Sequence, residues 1–308
     1  MAKFGIALGS GPRGLGFESR HSDQNQGLQF AVLCFFIGIL TAICEVFGRE
    51  RRGTLTVVYI ILGILLGILA VISGFFLILS LLCIPISAKK TYDSDSRFYR
   101  WLLNVCSALA VWVARARLHV TGEEKLPKGR KILFVGNHIS NYDPIFTWYV
   151  FRKWRITYIS KASNFKIPWF GRIIRRCCFL DIDRENPRNA IVTINRAADF
   201  LERQHVSIGV YPEGTRSKTG ELLPFHNGVF KIAQKAEVDI AVVGITGTSK
   251  IAKNLPFRST DVYIDVLAVI PGEQVKAMRT ELIGNEVKQL LQENKKRREK
   301  NEKDICAV

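Results

Sequence analysis

The sequence predicts an α/β fold: a mixed, largely buried sheet flanked by helices, preceded by an N-terminal membrane-associating helical segment. Three observations carry that expectation. The long apolar runs all lie before residue 90. From about residue 118, short apolar runs alternate with helix-like segments, the pattern of a layered sheet. Two polar clusters each follow such a run directly, at the strand ends where open α/β sheets hold their sites. The expected division is a disordered segment over 1–27, membrane-associating helices over 28–90, an α/β domain over 91–280 and a basic C-terminal helix or tail over 281–308.

The first 27 residues are polar and glycine-rich. Gly9, Gly11 and Gly14 spell GxGxxG there, but no strand precedes them and no helix follows, so a dinucleotide site is not expected. A translation start set too early would also account for such a segment. Residues 28–47 are almost continuously apolar and about long enough to span a bilayer core. Residues 55–86 carry no charge, and a helix of that length exceeds the hydrocarbon thickness and must tilt, bend or run into the interface. Small residues recur four apart at Gly38 and Ala42, Gly63 and Gly67, and Ala70 and Gly74, a spacing that permits close helix approach in lipid. The basic linker GRERRG fits poorly with a hairpin whose two ends are cytoplasmic, so either the first run does not cross fully or the positive-inside rule is broken here.

Residues 101–114 are too short to span and are flanked by Trp101, Trp112, Arg100, Arg115 and Arg117. They fit a helix lying in the membrane interface and a helix docked on the globular core equally well. Beyond them the strand-like runs are KILFVG, RITYIS, CCFLDI, SIGVYP, IAVVGITG and VYIDVLAVI, and the helix-like segments are 145–153, 187–204, 226–236 and 276–300. The stretch from Phe165 to Arg176 interleaves apolar and basic residues, fitting either a membrane surface or packing on the sheet.

A net charge of +17 attracts anionic partners without choosing among nucleic acid, anionic lipid and phosphorylated substrates, and the apolar front end points to lipid. The seven cysteines form neither a CxxC pair nor a Cys/His cluster with metal-ligand spacing, so reduced structural thiols are expected.

The run VGNHISNYDP holds the first candidate chemistry. His138 and Asp143 lie five positions apart, which on a regular helix would point them about 140° apart. They meet only if the segment turns into a helix, and Pro144 favours such a turn because it suits a first helical position. A neutral histidine oriented by a carboxylate is a general base near neutral pH, here for direct attack by an acceptor hydroxyl. No serine or cysteine stands in a nucleophile-elbow context. The alternative is that Asp143 merely caps the helix. The second cluster, YPEGTRS, offers Gly214 for a tight turn, hydroxyls on Thr215 and Ser217, and Arg216 as a two-pronged match to phosphate, with Glu213 bracing either the arginine or the backbone. A solvated polar turn is the plain alternative. Lys161 and Arg184 end strand-like runs on what would be the same rim.

These clusters, in this order and spacing, resemble the glycerolipid acyltransferases of the 1-acyl-sn-glycerol-3-phosphate acyltransferase family. NHISNYD resembles that family's NHxxxxD signature, YPEGTRS its EGTRS block, and the stretch from Lys161 through Phe165, Pro168 and Gly171 to Arg184 the block between them, the likeness covering roughly 95–275. The resemblance implies His138 as general base with Asp143 as its partner. It implies that Arg184, Glu213, Gly214, Thr215 and Arg216, with Lys161 nearby, hold the phosphate and glycerol end of lysophosphatidic acid. The implied donor is acyl-CoA or an acylated carrier protein, with no metal, no bound cofactor and no nucleic-acid partner. The front helices would associate with membrane phospholipid at the cell membrane, the catalytic domain facing the cytoplasm. The chain departs from the family pattern at FHNG, with His226 where a lysine is frequent, and at IAVVGITG, with Ala241 and no proline. Another lysophospholipid or glycerol 3-phosphate remains open as acceptor, as does a membrane-tethered module that binds anionic lipid or nucleic acid without turnover.

Overall fold

The computed structural model describes residues 37–39, 41–42, 53–87, 90–182, 187–203 and 205–306. The chain forms two compact units, Met1–Leu81 and Leu82–Val308. The expectation for 1–27, and most of that for 28–47, lies outside the described residues.

The first unit contains most of helix α1 (Gly53–Cys83). Its 31 residues rise about 46 Å at 1.5 Å each, well beyond a hydrocarbon core of about 30 Å. From Thr56 to Cys83 it has a mean hydropathy of 2.8 and is long and apolar enough to cross a membrane. Val57, Ile61, Leu65, Leu69 and Ile72 are each about half exposed, so these side chains are not spent on a protein core.

The second unit is built on a seven-stranded sheet. Its strands are β1 (Ala116–Thr121), β2 (Leu133–Gly136), β3 (Ile156–Lys161), β4 (Leu180–Ile182), β5 (Ser207–Val210), β6 (Ile240–Thr246) and β7 (Thr260–Ile270), in the order β1-β7-β6-β2-β5-β3-β4. Neighbours run parallel except β6 and β7. The central strands β2 and β5 are buried at every position, which is why they read as unbroken apolar runs. Leu133 and Val135 face one layer, in one cluster with Phe200 and Leu201 of α5 (Pro187–Glu202), Ile232 of α6 (Lys231–Ala236) and Ile283, Val287 and Leu291 of α9 (Thr280–Cys306). Phe134, between them in the pleat, faces the other side and stacks on Phe151 at 4.8 Å, just beyond α3 (Asp143–Val150). Where α9 crosses β6, the Asn294 side chain lies against Gly244, where a Cβ would collide with its Nδ2.

Four sequence expectations need correction. Strand β1 was not foreseen, because burial alternates along it as on a sheet edge and leaves no continuous apolar run. The run CCFLDI yields a strand only from Leu180, since Cys177 and Cys178 form the turn that ends α4 (Phe170–Arg176). The helix expected over 226–236 is a 3₁₀ turn, Asn227–Phe230, leading into α6. Beyond the short α7 (Ile251–Asn254), the helix expected over 276–300 is broken between α8 (Gly272–Ala277) and α9. Helix α2 (Arg97–Val113) docks one face on the sheet unit, the second of the readings that its sequence left open, and leaves an apolar face exposed. Tyr99, Arg100, Leu102 and Ser107 are buried, while Phe98, Trp101, Val105, Leu109 and Trp112 face outward. Arg100 fixes its start by donating to Asp95 at 2.5 Å and to the Ile156 carbonyl at 2.9 Å.

Candidate active site

The site is assembled at the C-terminal ends of β2, β5 and β6, three adjacent strands. After β2, Asn137 clamps the chain to β6, donating from Nδ2 to the Ile245 carbonyl at 2.9 Å and accepting the Ile245 N–H at 2.8 Å. The next residues turn, and α3 begins at Asp143 with proline in its first positions. That turn brings His138 Nδ1 to 2.8 Å from Asp143 Oδ2.

Asp143 does not cap the helix with its side chain. The carboxylate reaches backward instead. Oδ2 accepts the N–H groups of Ile139 and Ser140, each at 2.7 Å, and Oδ1 accepts the Thr248 hydroxyl at 2.5 Å. Asp143 is completely buried, and four donors surround it when the histidine bond is counted. A buried charge needs such compensation, and the geometry leaves the carboxylate little freedom to rotate. The His138 side chain is 18% exposed, and no described group hydrogen-bonds its Nε2. With Nδ1–H donated to Asp143, Nε2 is the lone-pair nitrogen and has access to a substrate.

The YPEGTRS turn braces His138 from the other side. Glu213 accepts the His138 N–H at 2.8 Å through Oε1 and the Leu223 N–H at 3.0 Å through Oε2, while Ser217 N–H donates to the His138 carbonyl at 2.8 Å. Of the two partners left open for Glu213, the structure thus pairs it with the backbone rather than with Arg216. Burial pushes the Glu213 carboxyl above its ordinary value, partly offset by those two N–H donors. Tyr211 lies flat against the His138 ring, with centroids 4.4 Å apart and planes 16° apart. Burial raises the Tyr211 and Tyr158 phenols well above their usual value, so both stay protonated and present a neutral wall. Gly214 sits at φ +69°, a conformation that favours glycine, and its N–H closes the turn on the Tyr211 carbonyl.

His138, Asp143 and Glu213 therefore form one hydrogen-bonded group. Thr215 and Arg216 are exposed and line a cavity of about 1,030 Å³ that borders the loop at Asn137 and Ile139. Lys161 ends β3, exposed, and is not part of that cavity wall. Arg184 lies outside the described residues. Thr248 and Tyr211 are contacts that the sequence reading missed. Tyr211 stood in a quoted motif without a role, and no local signal marked Thr248.

A family model described as Acyltransferase matches residues 117–246, from β1 to the end of β6. Among curated relatives, the 1-acyl-sn-glycerol-3-phosphate acyltransferase of Borreliella burgdorferi is 30% identical over 171 residues, which are 55% of this chain and 68% of that protein. Proteins of the same name from Cocos nucifera and Haemophilus influenzae are 31% and 33% identical over 47% and 41% of this chain. The matches cover 46% and 54% of those two relatives, about half their length. A solved structure, the 1-acyl-sn-glycerophosphate (LPA) acyltransferase of Thermotoga maritima, superposes with a TM-score of 0.52 at 23% identity, covering 64% of this chain and 79% of that one, and so shares the fold. A mixed α/β sheet carrying a histidine–aspartate pair beside an EGTRS turn thus defines an O-acyltransferase. The chain belongs to the 1-acyl-sn-glycerol-3-phosphate acyltransferase family. The alternative of a tethered binding module without turnover is set aside by that membership.

Proposed function

We propose that this chain transfers a fatty acyl group from a thioester, acyl-CoA or acyl carrier protein, to the sn-2 hydroxyl of lysophosphatidic acid, releasing phosphatidic acid and a free thiol. The observation that carries the reading is the His138–Asp143 contact of 2.8 Å, with the carboxylate pinned by two backbone N–H groups and a hydroxyl. His138 Nε2 takes the proton of the acceptor hydroxyl as its oxygen attacks the thioester carbonyl. Asp143 stabilises the imidazolium so formed. The tetrahedral intermediate collapses, its carbon–sulfur bond breaks, and the leaving thiolate takes the proton back from His138. Glu213 and Gly214 hold the loop, while Thr215 and Arg216 meet the acceptor's phosphate, a pairing for which a guanidinium is suited. Lys161 and Arg184 are assigned to the binding of that same phosphate by their positive charge. The thioester supplies the driving force, and the reaction calls for no bound cofactor.

In this reading α1 anchors the protein in the cell membrane, where a lysophospholipid presents its head group to the site. The basic catalytic unit faces the cytoplasm, the side that holds thioester donors. The test is acyl transfer from oleoyl-CoA to lysophosphatidic acid by membranes containing the full chain, beside His138→Ala, with lysophosphatidylcholine and glycerol 3-phosphate as competing acceptors. Phosphatidic acid should form, and the variant should lose about a hundredfold or more, as removal of a general base demands. Preferred acylation of another acceptor would overturn the substrate, and an active His138→Ala variant would overturn the mechanism.

A further inference from the structure

The cavity beside the catalytic loop is larger than the acceptor's head group requires. Its volume of about 1,030 Å³ stands at the upper end for small-molecule sites, and a glycerol phosphate would leave most of it empty. One part of the lining is the turn carrying Arg216 and Lys218, and another is α9 with Lys295 and Arg298, the two joined where Lys295 meets Glu221. Lys250 adds a further positive charge to the lining, against Asp261 and Glu299 as the acidic groups. Asp261 is already engaged by Arg117 and His119 on its own edge of the sheet, and Arg298 is anchored to Asp265, which keeps α9 in place as a wall. Lys295 meets only exposed carboxylates, Glu221 and Glu299, which exchange readily for a ligand phosphate. Arg216 and Lys218 have no ion-pair partner among the described residues. Thr246, also in the lining, keeps its Oγ1 buried without a hydrogen-bond partner.

From this geometry we infer that the cavity, beyond the acceptor's place at Thr215 and Arg216, is the donor site, and that it takes the phosphate-rich nucleotide end of a coenzyme A thioester. Cations carried by two separate elements of the lining suit a ligand with several separated phosphates, whereas a single phosphoglycerol needs one. An acyl carrier protein would dock its own surface outside and bring only one phosphate on its pantetheine arm. The pantetheine chain then leads past Asn137 and Ile139 to the carbonyl that His138 serves. The inference rests on the acyltransferase reading for the thioester itself, but binding of the nucleotide can be read without turnover.

The experiment uses the full chain in detergent micelles and in membranes, comparing the parent with the double variant Lys218→Ala/Lys295→Ala and with the charge-keeping Lys218→Arg/Lys295→Arg. Binding of coenzyme A and of adenosine 3′,5′-bisphosphate is measured directly, and KM is measured for oleoyl-CoA and for lysophosphatidic acid. The alanine pair should weaken both nucleotide ligands and raise KM for oleoyl-CoA about tenfold, as loss of two charge-assisted phosphate contacts implies. KM for lysophosphatidic acid should stay at the parental value, and the arginine pair should behave as the parent. Unchanged nucleotide binding in the alanine pair overturns the inference, and so does a rise confined to KM for lysophosphatidic acid, which would make the cavity the acceptor's. A parent that binds both nucleotides in this charge-dependent way but acylates no acceptor would support the cavity while removing the proposed reaction.

Discussion

Replacing Asp143 by asparagine separates its charge from its geometry. The asparagine carbonyl has one favourable place, the present position of Oδ2, because the N–H groups of Ile139 and Ser140 both point there at 2.7 Å. The amide NH₂ then faces Thr248, whose hydroxyl rotates to accept. All four contacts survive, and His138 keeps its Nδ1 proton on the asparagine oxygen. Stability should therefore change by no more than about 1 kcal/mol, a neutral acceptor being the weaker one but costing less to bury. Catalysis loses the opposite charge beside the imidazolium. A hydrogen bond to a charged partner is worth about 1.5–3 kcal/mol, so turnover should fall between about tenfold and a few hundredfold. In the serine-protease triad the same exchange costs about ten-thousandfold, because the amide there forces the wrong histidine tautomer. The two backbone donors prevent that here. Initial rates of phosphatidic acid formation and thermal unfolding midpoints check both halves. Parental turnover in Asp143→Asn would refute the charge-partner role, and a ten-thousandfold loss would refute the pinning argument.

Two further outcomes follow from neighbouring contacts. Thr248→Val leaves a buried carboxylate oxygen without its donor, which should lower stability by about 1–3 kcal/mol and turnover several-fold, while Thr248→Ser restores both; calorimetry and kcat on the three proteins decide it. Asp265 is pushed up by burial but held below its ordinary value by bonds from Arg298, Thr121 and Asn294, which outweigh it. A carboxyl lowered on folding stabilises above its unfolded pKa and loses that contribution as pH falls through the lower folded value. The unfolding midpoint of Asp265→Asn should accordingly lie furthest below the parent's at neutral pH and converge on it below about pH 4. A gap independent of pH would mean that Asp265 acts through packing alone.

What could be read from the sequence was local. The turn joining His138 to Asp143 was legible because Pro144 dictates where a helix begins and because only a turn lets residues five apart meet. The central strands were legible because parallel strands covered on both faces must be apolar throughout. Strand order was not legible, and with it went every contact between distant segments. Thr248 lies 105 residues from Asp143 and reaches it only because β6 pairs with β2, register Gly136 to Val243. Tyr211 reaches the His138 ring because β5 lies on the other side of β2. The short helix α4 was hidden for a different reason. Its sequence, FGRIIRR, alternates basic and apolar residues, and such a stretch has no single preferred partner until Ile173 and Ile174 are seen buried.

The same strand order explains why so much of the site is backbone. Three parallel strands ending side by side deliver three loops to one place, and those after β2 and β5 bring main-chain groups already aimed by their strands. The N–H groups of Ile139 and Ser140 hold Asp143, while the N–H and carbonyl of His138 are held by Glu213 and Ser217. Fixing a base in this way asks little of the surrounding side chains beyond one acid after β2, one after β5 and the Thr248 hydroxyl after β6. That leaves the exposed positions, Thr215, Arg216 and Lys218, free to vary with the substrate. Substitutions at the bracing groups should therefore affect every acceptor and donor alike. Substitutions along the cavity should change which substrate is used, and the two classes of residue should separate in a matrix of acceptors against donors.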